Sequence, residues 1–252
     1  MASDKTLVVS NPSQLGNART RRDFLRIMGV GGVVVLLPSV LSSCNNDDDN
    51  DDIFGPGGQP GSGNTVTIDF AKGDIAVLQF AYALEQLEAD FYTKVVAASG
   101  GSNLTAADNA VMGDLKNHEI IHREFLKIAL GSNASFTLTP TYPGVNFSNR
   151  TSVLTTARTF EDLGVAAYNG AAQYITSTTN LLVAGKIVSV EGRHASAIRD
   201  LINPKSGDFA PNTFDDAFRP AKVAQAAQGF IVDKLALANA PTAFVQGPNN
   251  NG

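Results

Sequence analysis

The sequence predicts an all-α protein, built as a four-helix bundle of two antiparallel hairpins with a fifth helix near the C-terminus. Apolar residues recur at helical spacing in four long segments between residues 72 and 202. One long connection rich in Ser, Thr, Asn and Pro divides these segments into two pairs, which is typical of two hairpins packed together. With 252 residues, 43% of them hydrophobic, the chain is long enough to bury a substantial core.

The first hairpin is predicted to begin with a helix over residues 72–98, which a pair of glycines ends. Thr105 and Asp108 have the spacing of a capping box with Asp in the acidic position. They predict the start of a second helix, which ends at Gly131. Residues 132–151 are then expected to form a long loop with some extended structure.

The second hairpin follows this loop. The pattern predicts a third helix over residues 152–174 and a fourth over residues 180–202, which Asn203-Pro204 ends. A shorter fifth helix is predicted over residues 219–237. We therefore assign residues 66–240 to the helical bundle.

The segment before the bundle has the features of an export signal. Two arginines, Arg21 and Arg22, precede an apolar stretch over residues 27–41, which is too short and too glycine-rich for a membrane span of about 20 residues. The arginine pair followed by Phe-Leu resembles a twin-arginine signal. The residues ending at Cys44 (Leu-Ser-Ser-Cys) resemble a bacterial lipobox, which implies cleavage before Cys44 and lipid attachment to its sulfur. The alternative is an ordinary apolar segment with a chance arginine pair and a buried cysteine.

These features divide the chain into four parts. They are a signal peptide (1–43), a lipidated Cys with a flexible acidic and Gly/Pro-rich tether (44–65), the bundle (66–240) and a flexible tail (241–252). The predicted partners are a membrane, reached through lipidated Cys44, and the twin-arginine export machinery. The predicted location is the bacterial cell envelope, on the periplasmic or surface face of a membrane.

Composition excludes several classes of function. A single Cys excludes a disulfide framework and any Cys-rich metal site. A net charge of −5 argues against nucleic-acid binding, which requires a basic surface. The chain has only three histidines, so any histidine chemistry must use these.

Two of the three histidines each lie in a copy of the same short motif. Glu119 and His122 form Glu-x-x-His in the second predicted helix, and Glu191 and His194 form it in the fourth. Positions i and i+3 lie on one face of a helix, so each motif presents a carboxylate and an imidazole together.

A second pattern repeats one helix earlier in each hairpin. Glu85 lies 34 residues before the glutamate of the first motif, and Glu161 lies 30 residues before that of the second. Tyr92 and Tyr168 each follow seven residues later. The two halves thus repeat one arrangement of functional residue types without obvious sequence identity.

These residues resemble the ferritin-like di-iron or di-manganese carboxylate family, in which one Glu from each of two helices joins a Glu-x-x-His from each of two others. The nearest resemblance is to bacterial ferritin-like domains related to plant desiccation-associated proteins. The runs that carry it are Leu84-Glu-Gln-Leu-Glu-Ala-Asp-Phe-Tyr92, His118-Glu-Ile-Ile-His122 and Phe160-Glu-Asp-Leu-Gly-Val-Ala-Ala-Tyr168.

The resemblance implies a role for each of six residues in a dinuclear metal site. Glu85 and Glu161 would be the terminal carboxylates. Glu119 and Glu191 would bridge the two metal ions, and His122 and His194 would each cap one of them. Two divalent cations would neutralise four carboxylates that would otherwise be very costly to bury. Carboxylate and imidazole ligands suit iron, manganese or zinc rather than copper(I). The resemblance implies two iron or manganese ions, as Fe/Fe, Mn/Mn or a mixed pair, with zinc disfavoured.

Other polar residues near the motifs receive simpler interpretations. Tyr92 and Tyr168 fit hydrogen-bond donors to the carboxylates, or plain core aromatics, and His118 is expected near His122 without ligating. Glu88 and Asp90 are expected as solvated helix positions. The neighbour of Glu161, Asp162, points about 100° away on the helix and is not expected to ligate.

The sequence leaves three functions open. A dinuclear carboxylate site could give an exported oxidoreductase with oxidase, ferroxidase or peroxide-removing activity. The same metals could instead only stabilise a non-catalytic envelope protein that protects under drying or oxidative stress. His118-Glu119-x-x-His122 also matches the short zinc metalloprotease signature, which leaves the second motif and the Glu/Tyr repeat unexplained. The oligomeric state is open, and a homo-oligomer is compatible with the bundle.

Overall fold

A computed structural model describes residues 63–245 and confirms an all-α bundle with an additional helix. The predicted signal peptide, Cys44 and most of the predicted tether lie outside the described residues. Five helices and two short strands make up the fold. Their bounds are β1 Thr65–Asp69, α1 Asp74–Ala98, α2 Ala106–Leu130, α3 Arg150–Ala172, α4 Thr178–Ile202, α5 Pro220–Gln228 and β2 Lys234–Ala238.

Side-chain caps set where the long helices begin. The predicted capping box of α2 is present: the Thr105 hydroxyl accepts from the Asp108 amide, and the Asp108 carboxylate accepts from the Thr105 amide. α3 and α4 have simpler caps, in which the Asn149 and Ser177 side chains accept from the Ser152 and Asn180 amides. Because these caps lie just ahead of the apolar pattern, α3 and α4 begin two residues earlier than predicted.

The four long helices pack as two hairpins. α1 packs along α2, α3 packs along α4, and contacts between α1 and α3 and between α2 and α4 close the bundle. Asp74 at the start of α1 fastens the two hairpins at one end, since its carboxylate accepts from the Thr176 and Ser177 amides in the α3–α4 turn. Burial differs between helices: α1 is enclosed on nearly all sides, whereas α2 leaves Ile121, Phe125 and Ile128 exposed.

The prediction of a fifth helix over residues 219–237 is wrong in its second half. The helix ends at Gln228, and Lys234–Ala238 forms strand β2, which pairs in parallel with β1. The Lys-Leu-Ala-Leu-Ala sequence of β2 favours a helix locally, but pairing with a distant strand buries Leu235 and overrides that preference. The sequence gives no local signal for this pairing.

The strand pair also holds the long middle connection in place. Thr65 at the end of the predicted tether is the first residue of β1 and pairs with Lys234. Next to this pair, the buried Asp233 carboxylate accepts from the Asn64 amide at 3.1 Å and from the Thr139 amide at 2.7 Å. Three distant parts of the chain therefore meet at one carboxylate.

The last described residues contact the α3–α4 turn. The Tyr174 hydroxyl donates to the Ala243 carbonyl at 2.8 Å, and the Val245 amide donates to Gln173 Oε1 at 2.9 Å. Within residues 63–245, none of the helices has the length and apolar character needed to cross a membrane.

Candidate metal centre

The two hairpins place their repeated glutamates at matching heights. Glu85 is the twelfth residue of α1, and Glu161 is the twelfth residue of α3. Glu119 and Glu191 are each the fourteenth residue of their helices, α2 and α4. Because the helices of a hairpin run antiparallel and have nearly equal lengths, residues near their midpoints meet at the same level of the bundle.

All six predicted ligands lie together in the middle of the bundle. They form two interlocking groups, in each of which one ligand atom per residue lies within 4.8 Å of the others. Glu119 and Glu191 belong to both groups. The first group adds Glu85 and His122, and the second adds Glu161 and His194. We call these six residues the carboxylate–histidine cluster.

Each imidazole of the cluster faces three carboxylates through Nδ1. His122 Nδ1 lies 3.0 Å from Glu191 Oε1, 3.3 Å from Glu119 Oε2 and 3.6 Å from Glu85 Oε2. His194 Nδ1 lies 2.8 Å from Glu119 Oε1, 3.4 Å from Glu161 Oε2 and 3.5 Å from Glu191 Oε2. The two halves of the cluster therefore have nearly the same geometry around the two shared glutamates.

Burial makes this arrangement unusual for a set of acids. The four cluster glutamates are 0% exposed, and several polar atoms of the cluster have no hydrogen-bond partner. The unpartnered atoms are Glu85 Oε2, Glu119 Oε1, Glu161 Oε2, both Glu191 oxygens and His194 Nδ1. A buried polar atom without a partner costs about 1–3 kcal/mol, and more when charged. These atoms lie at ion-pair distances from one another but form no hydrogen bond, and such a set fits a site for cations, which supply the missing partners.

Without metal, the pKa values of the cluster are set by burial and by the contacts between its histidines and glutamates. Burial opposes the imidazolium form, but contacts with the neighbouring carboxylates outweigh it and raise the pKa of both His122 and His194 to about 12. Burial also opposes ionisation of Glu191, yet both imidazoles lower its pKa to about 2. Burial raises the pKa of Glu161 to about 7 and that of Glu119 well above its usual value. The raised pKa of both histidines reflects the negative potential of the surrounding carboxylates, which favours the binding of cations.

Each repeated tyrosine contacts the terminal glutamate of the opposite hairpin. The Tyr92 hydroxyl on α1 donates to Glu161 Oε1 on α3, and the Tyr168 hydroxyl on α3 donates to Glu85 Oε1 on α1 at 2.6 Å. The second oxygen of each glutamate remains directed at an imidazole. The tyrosines therefore fix which oxygen of each carboxylate faces the centre of the cluster.

His118 lies at the exposed outer side of the cluster. Its Nδ1 is 2.9 Å from His194 Nε2, and the two rings stack with centroids 5.1 Å apart. It belongs to neither group of converging ligands, whereas a zinc metalloprotease would use His118 and His122 together. His118 lies four residues before His122 on α2. The corresponding residue on α4, four residues before His194, is Val190, so only one half of the cluster has an additional histidine.

The prediction that Glu88 lies in solvent is wrong. Glu88 is 4% exposed, and burial together with the charges of Glu119 and Glu191 raises its pKa well above the usual value. A Cβ at position 164 would lie 3.1 Å from Glu88 Oε1, so glycine there leaves the room that this carboxyl occupies. Glu88 follows Glu85 by three residues, and this shared helix face was the signal that could have identified it.

The other acids beside the motifs have partners outside the cluster. Asp90 is half-buried, pairs with Lys94 and accepts from the Tyr142 hydroxyl at 2.9 Å. Asp162 pairs with Arg199 and Arg158 and takes no part in either group of converging ligands. Neither acid belongs to the carboxylate–histidine cluster.

Comparison with known protein families identifies the bundle. The family described as a ferritin-like domain matches residues 73–204, which include all four long helices and the whole cluster. A comparison with curated proteins finds no match to this chain. Since the family match covers more than half of the sequence, the chain belongs to the ferritin-like domain family.

Proposed function

We propose that this ferritin-like protein binds two iron or manganese ions in the carboxylate–histidine cluster and is an oxidoreductase acting on dioxygen or peroxide. The observation that carries the proposal is the sharing of Glu119 and Glu191 between two otherwise separate groups of converging ligands. Two carboxylates shared between two sets of ligands support two metal ions held side by side.

Charge supports two ions in preference to one. The four cluster glutamates carry −4 when ionised, and all are fully buried. A single divalent cation would leave an excess negative charge in a medium that solvates it poorly, whereas two divalent cations give a neutral site. Oxygen and imidazole ligands favour iron or manganese over soft metals such as copper(I).

The protein's own residues would prepare such a centre in three ways. Tyr92 and Tyr168 hold the terminal carboxylates in one orientation, and His118 fixes the ring of His194 through its Nε2. The bundle buries the four cluster glutamates completely. When bound, a dinuclear iron or manganese centre supplies reversible electron transfer to small oxidants.

We also propose that the protein is exported by a twin-arginine route and anchored in the cell envelope through lipidated Cys44. The support is the order of three sequence features: the arginine pair, a short apolar segment and the lipobox-like residues ending at Cys44. Mass spectrometry of the membrane fraction tests the anchor. Cys44→Ala should abolish lipidation, and a lipid that persists in this variant would show the assignment to be wrong.

Metal analysis of protein purified after its native export tests the centre. We expect two iron or manganese ions per chain and their joint loss in Glu119→Ala and Glu191→Ala. One zinc ion that survives Glu191→Ala would refute the proposed site. Dioxygen and peroxide consumption by the metal-containing protein then tests the activity, and two bound ions with no consumption would favour the non-catalytic, metal-stabilised alternative.

A further inference from the structure

We propose that a pocket between α2 and α4 binds small inorganic anions next to the metal centre, with Arg193 as the residue that attracts and holds them. The proposal deepens the proposed function and rests on it, because the carboxylates behind the pocket wall are neutralised only when the metals are bound. It goes further by naming the class of ligand, the face of the bundle from which it arrives and the residue that selects it.

The pocket opens on the outer face of the bundle and reaches the cluster. It has a volume of about 240 Å³ and is lined by His118, Ile121, His122, Val190, Arg193 and His194. On this measure a water molecule needs about 10–15 Å³, so the space admits a small polyatomic anion. Of the six cluster residues only the two histidines form its wall, and the four glutamates lie behind them.

The charge of the lining is one-sided. Arg193 is exposed, its Nη1 donates to Ser189 Oγ at 3.0 Å, and among residues 63–245 it forms no ion pair with a carboxylate. The other arginines of the long helices, by contrast, pair with acids: Arg123 with Glu124, Arg150 with Asp108, and both Arg158 and Arg199 with Asp162. No acidic residue lines the pocket. An unpaired guanidinium in a concave site free of carboxylates favours an anion.

The remaining walls of the pocket are formed by two aliphatic side chains and three imidazoles. Ile121 and Val190 are apolar, and the imidazoles of His118 and His194 are stacked on one another. With two divalent metals bound, the four cluster glutamates are neutralised, so the positive charge of Arg193 is no longer opposed by them.

Azide is a suitable probe, because it is a small anion whose binding can be measured by calorimetry and, with iron, by absorption. The experiment compares the metal-containing wild-type protein with Arg193→Gln, Arg193→Lys and Lys186→Gln. Lys186 is the matched control, since it lies exposed seven residues earlier on the same face of α4 and does not line the pocket. Metal content is measured for every variant.

We expect Arg193→Gln to weaken azide binding by about three- to tenfold, as is typical of losing one partly exposed charge-assisted contact. Arg193→Lys should retain most of the affinity, and Lys186→Gln all of it. If wild type and Arg193→Gln bind azide with equal affinity at unchanged metal content, the anion site is overturned and the proposed metal centre is not affected. Equal losses in Arg193→Gln and Lys186→Gln would also overturn it, since only general charge would then matter. Wild-type protein that binds no metal would overturn the proposed function and this inference together.

Discussion

Tyr92 and Glu161 are joined by a buried hydrogen bond that runs from α1 of one hairpin to α3 of the other. Tyr168 and Glu85 form the reciprocal contact in the opposite direction. The halves of the bundle are thus connected through the very carboxylates that are expected to bind metal. Residues that orient ligands in this way affect metal affinity as well as folding.

Tyr92→Phe is expected to weaken metal binding without changing the number of ions bound. Loss of the hydroxyl leaves Glu161 Oε1 without its donor, which costs about 1–3 kcal/mol in the metal-free protein. Metal affinity should fall by about 10- to 100-fold. Competition with a chelator measures the affinity, and urea unfolding measures the stability.

Tyr142→Phe is the matched control for that change. Its hydroxyl donates to the Leu87 carbonyl and to Asp90, away from the cluster. We expect it to alter stability but to leave metal affinity unchanged. A similar loss of affinity in both variants would mean that Tyr92 acts only through the packing of the bundle.

Shared and terminal glutamates should differ in how many ions they hold. Glu119→Gln is expected to lose both ions, because this residue belongs to both groups of ligands, whereas Glu85→Gln should lose one. Metal analysis gives the ratio directly. Glu124→Gln, in the same helix as Glu119 but paired with Arg123 at the surface, should retain two. Loss of a single ion in Glu119→Gln would contradict the sharing.

Glu88→Gln is expected to stabilise the metal-free protein, and the gain should grow with pH. The pKa of Glu88 is raised above its usual 4.5 by burial first and then by the neighbouring glutamates. Below pH 4.5 the carboxyl is protonated in both folded and unfolded chains and contributes no difference. Above it the unfolded chain loses the proton first, so folding becomes less favourable as the pH rises. Urea unfolding of both proteins between pH 4 and pH 8 tests this, and parallel curves would refute it.

Metal binding should release protons and strengthen as pH rises. The pKa of both His122 and His194 is about 12 in the metal-free protein, because contacts with the carboxylates outweigh burial, so both imidazoles carry a proton at pH 7 that a metal must displace. We expect at least two protons released when the cluster fills. Calorimetry in two buffers of different ionisation enthalpy counts them, and a heat independent of the buffer would contradict the expectation.

Two helix glycines should respond oppositely to alanine. A Cβ at position 170 in α3 would lie 1.9 Å from the Phe218 carbonyl oxygen, so Gly170→Ala must force apart α3 and the segment that precedes α5. A Cβ at position 185 in α4 meets nothing within 4 Å, so Gly185→Ala should stabilise the helix by about 0.5–1 kcal/mol. Thermal unfolding of the two variants provides the comparison, and a neutral Gly170→Ala would show that the close approach is not needed.

The helical bundle could be predicted from the sequence because helical periodicity and capping are local properties. Thr105 and Asp108 specify the start of α2 through contacts three residues apart. The cluster was predictable because its spacing is repeated, so the two halves support each other. Glu88 belongs to neither repeated motif, and only its three-residue spacing from Glu85 indicated burial. The room for its carboxyl, left by glycine at position 164, is a property of the packed bundle.

The strands show the same limit for a different reason. Residues of β2 are compatible with a helix, and what makes them extended is pairing with residues at the other end of the domain. The unpaired charge of Arg193 is likewise a property of the folded surface, because the sequence does not show which arginines find an acidic partner.

The pairing of β1 with β2 has a consequence for biosynthesis. The contact between Asn64 and Asp233 joins residues 169 positions apart, so it forms only after the ribosome has made nearly the whole domain. The helical hairpins, whose contacts are local, can assemble while the chain is still emerging. β1 can pair only after β2 has been synthesised, so this small sheet forms late in the folding of the domain.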